Sequence, residues 1–308
     1  MSEISGMPQP DGGPSSSIPI AIPTPSPPKP PPIPSIQTLK SWAPLYLSET
    51  DRTIARLNKI LSSPSGTDSF LCSLRYTTLL TSVLLSSISF SRIHKHALSL
   101  IETAIALPPN TTVIIDTSSI PSSRLLITAQ RLKALSSLIS DFRIFARLWG
   151  LLGLWAWGKS ALLDPSKDKV LARIAYAQVF VNVCYQYLEN GAYLSSKGVL
   201  GWNGEKQGRA WVWSSRFWMA HTVLDLGKLY HEWQVRRGKG GKGDEEVKGK
   251  SEEAWRTLWK KQLVVDLAYA PLTVHYSLEN GLMGDFLVAV CGSVAGLTGF
   301  RYLWRNTI

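Results

Sequence analysis

Residues 132–149 read LKALSSLISDFRIFARLW, and the apolar side chains in this stretch recur every three or four positions. At 100° per residue this spacing predicts an α-helix with one apolar face, and the same pattern extends back to residue 124. The side chains predicted to insert into a membrane from the apolar face are Leu135, Phe142, Phe145 and Trp149. The side chains predicted to contact lipid head groups from the opposite face are Lys133, Arg143 and Arg147.

A basic face opposite an aromatic apolar face is typical of a helix that lies in the head-group plane of a bilayer. Each basic side chain near anionic lipid contributes about 1 kcal/mol to binding. Inserting such a helix into one leaflet expands that leaflet and favours curvature. A helix that packs on a protein core and turns a basic side to solvent has the same periodicity, so both interpretations stay open.

Helix signals dominate the chain from about residue 38, and the expected fold class is all-α, a membrane-associated bundle with long amphipathic helices. The predicted helices cover 69–107 (broken near 90–92), 122–163, 165–196, 209–236, 252–281 and 285–304. Asp164 followed by Pro165 predicts the cap and first turn of the helix over 165–196.

Composition indicates a membrane partner. Hydrophobic residues make up 44% of the 308 residues and charged residues 18%, whereas an average soluble domain is about 25% charged. The net charge of +11 is typical of a protein that binds a polyanion. The 12 tryptophans favour an anionic phospholipid membrane over nucleic acid, because Trp prefers the membrane interface.

The C-terminal segment predicts one transmembrane helix. Residues 286–300 contain no charged side chain, and extending the span past Arg301 to Trp304 gives about 28 Å, close to the thickness of a hydrocarbon core. Gly292 and Gly296 are four residues apart, a spacing that lets helices approach closely within a bilayer. A buried helix in a soluble bundle is the alternative.

The chain divides, by sequence, into a tail and one helical domain. Residues 1–37 contain most of the 19 prolines and predict a disordered proline-rich tail. Residues 38–308 form the predicted helical membrane-remodelling domain. Within that domain, glycine and lysine are dense over 236–251, which predicts a basic surface loop.

No pattern for catalysis, cofactor binding or metal binding is found in the sequence, and we expect no enzyme activity. His221, His231 and His275 have no carboxylate at a recognisable metal-site spacing, and the H-E-x-x-H, G-x-S-x-G, C-x-x-C and Walker-type motifs are absent. Residues 238–243 match G-x-G-x-x-G formally, but no predicted strand precedes them and lysines fill the gaps, which favours a surface loop over a dinucleotide site. A short repeat, Leu-Glu-Asn-Gly, occurs at 188–191 and 278–281. Asn-Gly predicts a helix end or kink at each copy, and each glutamate is expected to pair with a base such as Arg173, Arg216 or His275, or to lie at the membrane interface.

Three stretches together resemble the peroxisomal biogenesis factor 11 family, which elongates and proliferates peroxisomal membranes. They are residues 135–150, the Tyr-Leu-Glu-Asn-Gly stretch at 187–191, and residues 263–299, which look like the C-terminal part of a fungal C-type member. The resemblance implies a peroxisomal membrane location, tubulation driven by the basic amphipathic helix, homo-oligomers and recruitment of fission factors. The alternatives are a membrane channel or metabolite transporter and a soluble helical scaffold.

Overall fold

A computed structural model describes residues 36–108, 111, 122–238 and 245–307. Within these residues the regular secondary structure is entirely helical, which confirms the all-α class. The helices are α1 Ile36–Leu61, α2 Pro64–Ala106, α3 Ser122–Ala146, a 3₁₀ turn Arg147–Trp149, α4 Gly150–Leu163, α5 Lys169–Ser196, α6 Gly204–Gly238, α7 Glu245–Tyr276 and α8 Asp285–Arg305. Residues 1–35 of the predicted tail lie outside the described residues, and α1 begins at its last two positions.

The chain forms two compact units, Met1–Thr50 and Asp51–Ile308. The described part of the first unit is the beginning of α1. The second unit is a bundle in which the helices are neighbours in the order α3, α2, α8, α7, α6, α5, α4. Neighbours run antiparallel: on α2 and α3, for example, Ser82 Oγ donates to Ala129 O, and Ser136 Oγ donates to Arg75 O.

Two of the helices are long and apolar enough to cross a membrane, α2 and α8. The second of them begins and ends within one residue of the predicted C-terminal span at 285–304. The two helices pack on each other around a core of Cys72, Tyr76, Leu272 and Val288.

The predicted helix over 122–163 is interrupted by the 3₁₀ turn at Arg147–Trp149. At this turn Gln186 Nε2 donates to Arg147 O at 2.9 Å, and Asn190 Nδ2 donates to Leu148 O at 3.2 Å. Because side chains of α5 bind these carbonyls, the break depends on a contact between distant parts of the sequence. The expected break near 90–92 is wrong, since α2 continues to Ala106.

Other predicted helix boundaries also differ from the structure, although α5 ends at Ser196 as predicted. Asp164 follows the end of α4, and Asp168 caps α5 instead, accepting from Val170 N at 2.8 Å. The first Asn-Gly pair lies inside α5, although the second follows α7, where Gly281 has φ +62°. The basic loop predicted over 236–251 is shorter at both ends, since α6 reaches Gly238 and α7 begins at Glu245; residues 239–244 lie outside the described residues.

Asp168 gives the α5–α6 contact an acid-sensitive element. His231 Nε2 lies 2.7 Å from Asp168 Oδ2, and this hydrogen bond, with the backbone N–H of Val170, lowers the pKa of the Asp168 carboxyl. A lowered folded-state pKa stabilises the fold above the unfolded pKa of about 3.9, and the contribution is lost as the pH falls through the folded value.

We therefore expect Asp168→Asn, which keeps a capping oxygen, to be less stable than the wild type at pH 5. The difference in melting temperature between the two proteins should shrink as the pH is lowered from about 4 towards 2. Thermal unfolding followed by circular dichroism across this range checks the prediction. A difference that is the same at every pH would show that the carboxylate does not contribute in this way.

Candidate functional site: an apolar outer surface around a polar interior

The apolar face of α3 points away from the rest of the bundle. Of the side chains predicted to insert into a membrane, Leu135 is 41% exposed, Phe142 52%, Phe145 46% and Trp149 58%. The Phe145 and Trp149 rings lie edge to face, with centroids 5.4 Å apart. The described part of the chain thus leaves these four side chains partly uncovered, whereas Ile139 on the same predicted face is buried.

Two polar side chains of α3, Ser136 and Arg143, are buried against α2, and this corrects the predicted role of Arg143. Arg143 is 8% exposed, and its Nε and Nη2 atoms donate to the two carboxylate oxygens of Asp68 at 2.7 and 3.0 Å. Because α2 covers this face of α3, the guanidinium stabilises the α2–α3 contact and is not available to lipid head groups.

Arg147 also has a protein partner in place of a head group. Its Nε and Nη2 donate to the Glu189 carboxylate on α5 at 2.9 and 2.8 Å, and Tyr185 Oη donates to the same carboxylate at 2.8 Å. The Glu189 side chain is only 7% exposed. None of the three bases expected for it is its partner, and the glutamate of the second repeat, Glu279, is exposed.

Lys133 is the predicted head-group residue that stays accessible. Its Nζ lies 2.8 Å from Asp285 Oδ2, and both side chains are about 60% exposed. Such an exposed pair contributes roughly 0–1 kcal/mol, so Lys133 remains free to exchange its partner for an anionic group outside the protein.

Buried polar residues and exposed apolar residues also occur on the other helices of the bundle. About as many polar as apolar residues are buried among the described residues, whereas most buried residues of a soluble domain are apolar. The buried polar residues on the packed helices include Ser73, Ser82, Gln178, Gln186, Ser214, Thr222, Asp266, Thr273 and Ser293. The exposed large apolar residues on the same helices include Leu84, Ile88, Phe90, Phe180, Val183, Trp213, Val223, Leu267, Leu287, Val294 and Leu297.

Gly292 and Gly296 lie where α8 approaches α2. A Cβ atom on Gly292 would overlap the Tyr76 ring, and one on Gly296 would lie 2.8 Å from Ser73 Cα. Both glycines are buried. The predicted close approach of helices at these two positions is therefore present, with α2 as the partner helix.

Arg75, Glu189 and the α5 amides were not identified as functional from the sequence, although they lie in or beside the polar interior. A usable signal was present for the amides: Gln178, Gln186 and Asn190 recur at helical spacing within an otherwise apolar stretch. Amides at such positions indicate a face that must be hydrogen-bonded inside a bundle. Among the described residues, no group of three or more metal-ligating side chains is found.

Comparison with known proteins identifies a relative without a known activity. No family model and no solved structure matches the chain. It is similar to an uncharacterised protein of Schizosaccharomyces pombe, with 28% identity over 147 residues. The aligned segment covers 48% of this chain and 62% of that protein, less than two thirds of the relative's length.

Proposed function

We propose that this chain is an integral protein of the peroxisomal membrane that promotes membrane elongation, as the family it resembles does. The observation that supports membrane embedding best is the distribution of polarity in the bundle, where many large apolar side chains are exposed and as many polar as apolar residues are buried. Lipid acyl chains are the solvent in which such a surface is stable, and buried polar groups must then be paired within the protein. The assignment to the peroxisome is supported by the sequence resemblance alone.

The structure changes the proposed mechanism. Arg143 and Arg147 are held in ion pairs with Asp68 and Glu189, so of the three predicted head-group residues only Lys133 remains accessible. In the revised proposal α3 enters the bilayer together with α2, and its apolar face from Leu135 to Trp149 displaces acyl chains. Self-association of several copies would then concentrate this displacement and elongate the membrane.

The triple substitution of Leu135, Leu138 and Phe142 by serine tests the proposal, because all three side chains are exposed. On a water-facing surface these changes leave stability unchanged or improve solubility. On a lipid-facing surface they remove apolar area that is buried in the bilayer, and each Å² lost weakens membrane insertion by about 25 cal/mol. We therefore expect the triple variant of the tagged full-length protein to be extracted by alkaline carbonate to a greater extent than the wild type.

Ser137→Ala is the matched control, since Ser137 is an exposed polar residue on the same helix. It should stay in the membrane pellet like the wild type. Light microscopy of cells that overproduce each protein gives the second result: elongated peroxisomes with the wild type and with Ser137→Ala, and normal ones with the triple variant. Wild-type protein in the carbonate supernatant would exclude embedding, and a different organelle would exclude the peroxisomal assignment.

A further inference from the structure

A polar cavity of about 340 Å³ lies inside the bundle between α2, α3, α5, α6 and α7. Its size is near the lower end of small-molecule sites, which occupy roughly 300–1,000 Å³. Three guanidinium groups line it, those of Arg75, Arg143 and Arg147. Glu189 is the one carboxylate among its lining residues.

The charges around the cavity do not balance. Arg143 is paired with Asp68 and Arg147 with Glu189. Arg75 forms no ion pair with any carboxylate in the described part of the chain, and its guanidinium instead lies 4.6 Å over the Tyr76 ring. Arginine stays charged at every physiological pH, so the cavity carries one surplus positive charge.

Four further side chains of the cavity wall can donate hydrogen bonds to a ligand. Tyr76, Tyr276, Trp211 and Trp218 line it, and the described part of the chain shows no hydrogen bond from any of these four side chains. The guanidinium of Arg75 adds a planar fork of N–H donors that matches the geometry of a carboxylate or phosphate. The wall therefore offers hydrogen-bond donors to a ligand, above all the Arg75 fork and the two indole N–H groups.

We propose that this cavity binds an oxyanion, a carboxylate or phosphate group carried by a molecule with an apolar portion. Arg75 binds the anion through its N–H fork, the Tyr276 hydroxyl donates to it, and the Trp211 and Trp218 rings contact the apolar portion. The oxyanion belongs either to a lipid head group or to a soluble molecule. The inference does not depend on membrane elongation, because it rests on the charge and donors of the cavity alone.

The test uses the full-length protein in nanodiscs of neutral phosphatidylcholine, with the thermal unfolding midpoint as the readout. Phenyl phosphate in solution is the soluble probe, and phosphatidic acid added to the disc is the lipid probe. We expect at least one of them to raise the midpoint in a saturable manner. A response to phenyl phosphate alone indicates a soluble ligand, and a response to phosphatidic acid alone indicates a lipid.

Arg75→Gln should weaken the apparent affinity roughly 10-fold or more, because a charge-assisted hydrogen bond is lost. Arg75→Lys, which keeps the charge and loses the fork, should give an intermediate value. Arg92→Gln is the matched control: Arg92 is exposed on the same helix, and its variant should respond like the wild type. If Arg75→Gln does not fold, as judged by size-exclusion chromatography, Tyr276→Phe replaces it, with an expected weakening of about threefold or more.

The proposal is overturned if neither probe stabilises the wild type in a saturable manner. It is also overturned if the variants at Arg75 and Arg92 respond equally, because the effect would then come from the general positive charge of the protein.

Discussion

Replacing Arg147 with leucine is expected to lower the free energy of unfolding by about 3–5 kcal/mol, because the buried Glu189 carboxylate loses its cationic partner. Tyr185 is its other hydrogen-bond donor in the described structure, and a single hydroxyl does not compensate a carboxylate that is 7% exposed. SDS-induced unfolding in mixed micelles, followed by circular dichroism, measures the change.

The double variant Arg147→Leu/Glu189→Leu should recover most of the loss, since apolar residues of similar volume often replace a buried ion pair at little cost. About 1 kcal/mol should remain, because the Tyr185 hydroxyl is left without its acceptor. Lys133→Leu is the control, since it removes an exposed pair worth less than about 1 kcal/mol. If Arg147→Leu were as stable as the wild type but bound anionic vesicles less tightly, the head-group role expected from the sequence would be correct.

The helical class and the C-terminal helix could be predicted because both depend on local patterns. The glycines at 292 and 296 lie within the uncharged segment 286–300. The structure has a helix at Asp285–Arg305, and both glycines pack on α2. These features need no knowledge of which helices are neighbours.

The direction in which α3 faces could not be predicted, because periodicity separates two faces without saying which one is covered. Arg143 is buried in a pair with Asp68, 75 residues away in sequence, and Arg147 is paired with the buried Glu189, 42 residues away. Ser136 is buried because α2 offers the carbonyl of Arg75 as an acceptor. A helix face that carries arginine and serine can therefore be buried when a neighbouring helix supplies hydrogen-bond acceptors for these side chains.

The interruption of the helix at residues 147–149 also depends on contacts between distant parts of the sequence. The sequence from Arg147 to Lys159 is apolar between its two ends and contains no proline, so local propensity predicts a continuous helix. Amides from α5 bind two carbonyls at the turn, and a tertiary contact therefore overrides the local preference.

Gly296→Val is expected to destabilise the protein by up to about 3 kcal/mol through overpacking between α8 and α2. The new Cβ would lie 2.8 Å from Ser73 Cα and 2.9 Å from Ser73 N, and these backbone atoms cannot rotate away as the end of a side chain can. SDS unfolding of the full-length protein in mixed micelles measures the loss.

Gly227→Val on α6 is the matched control, because a Cβ atom there meets nothing within 4 Å and Gly227 is exposed. Valine has a higher helix propensity than glycine, so this variant should be as stable as the wild type or slightly more stable. Equal stability of the two variants would mean that α8 does not approach α2 closely at Gly296. A selective loss at Gly296 would show instead that close backbone contact stabilises the α2–α8 pair. These are the two helices that are long and apolar enough to span a membrane. Within a bilayer the hydrophobic effect does not drive helices together, so close packing of this kind becomes a main source of their association.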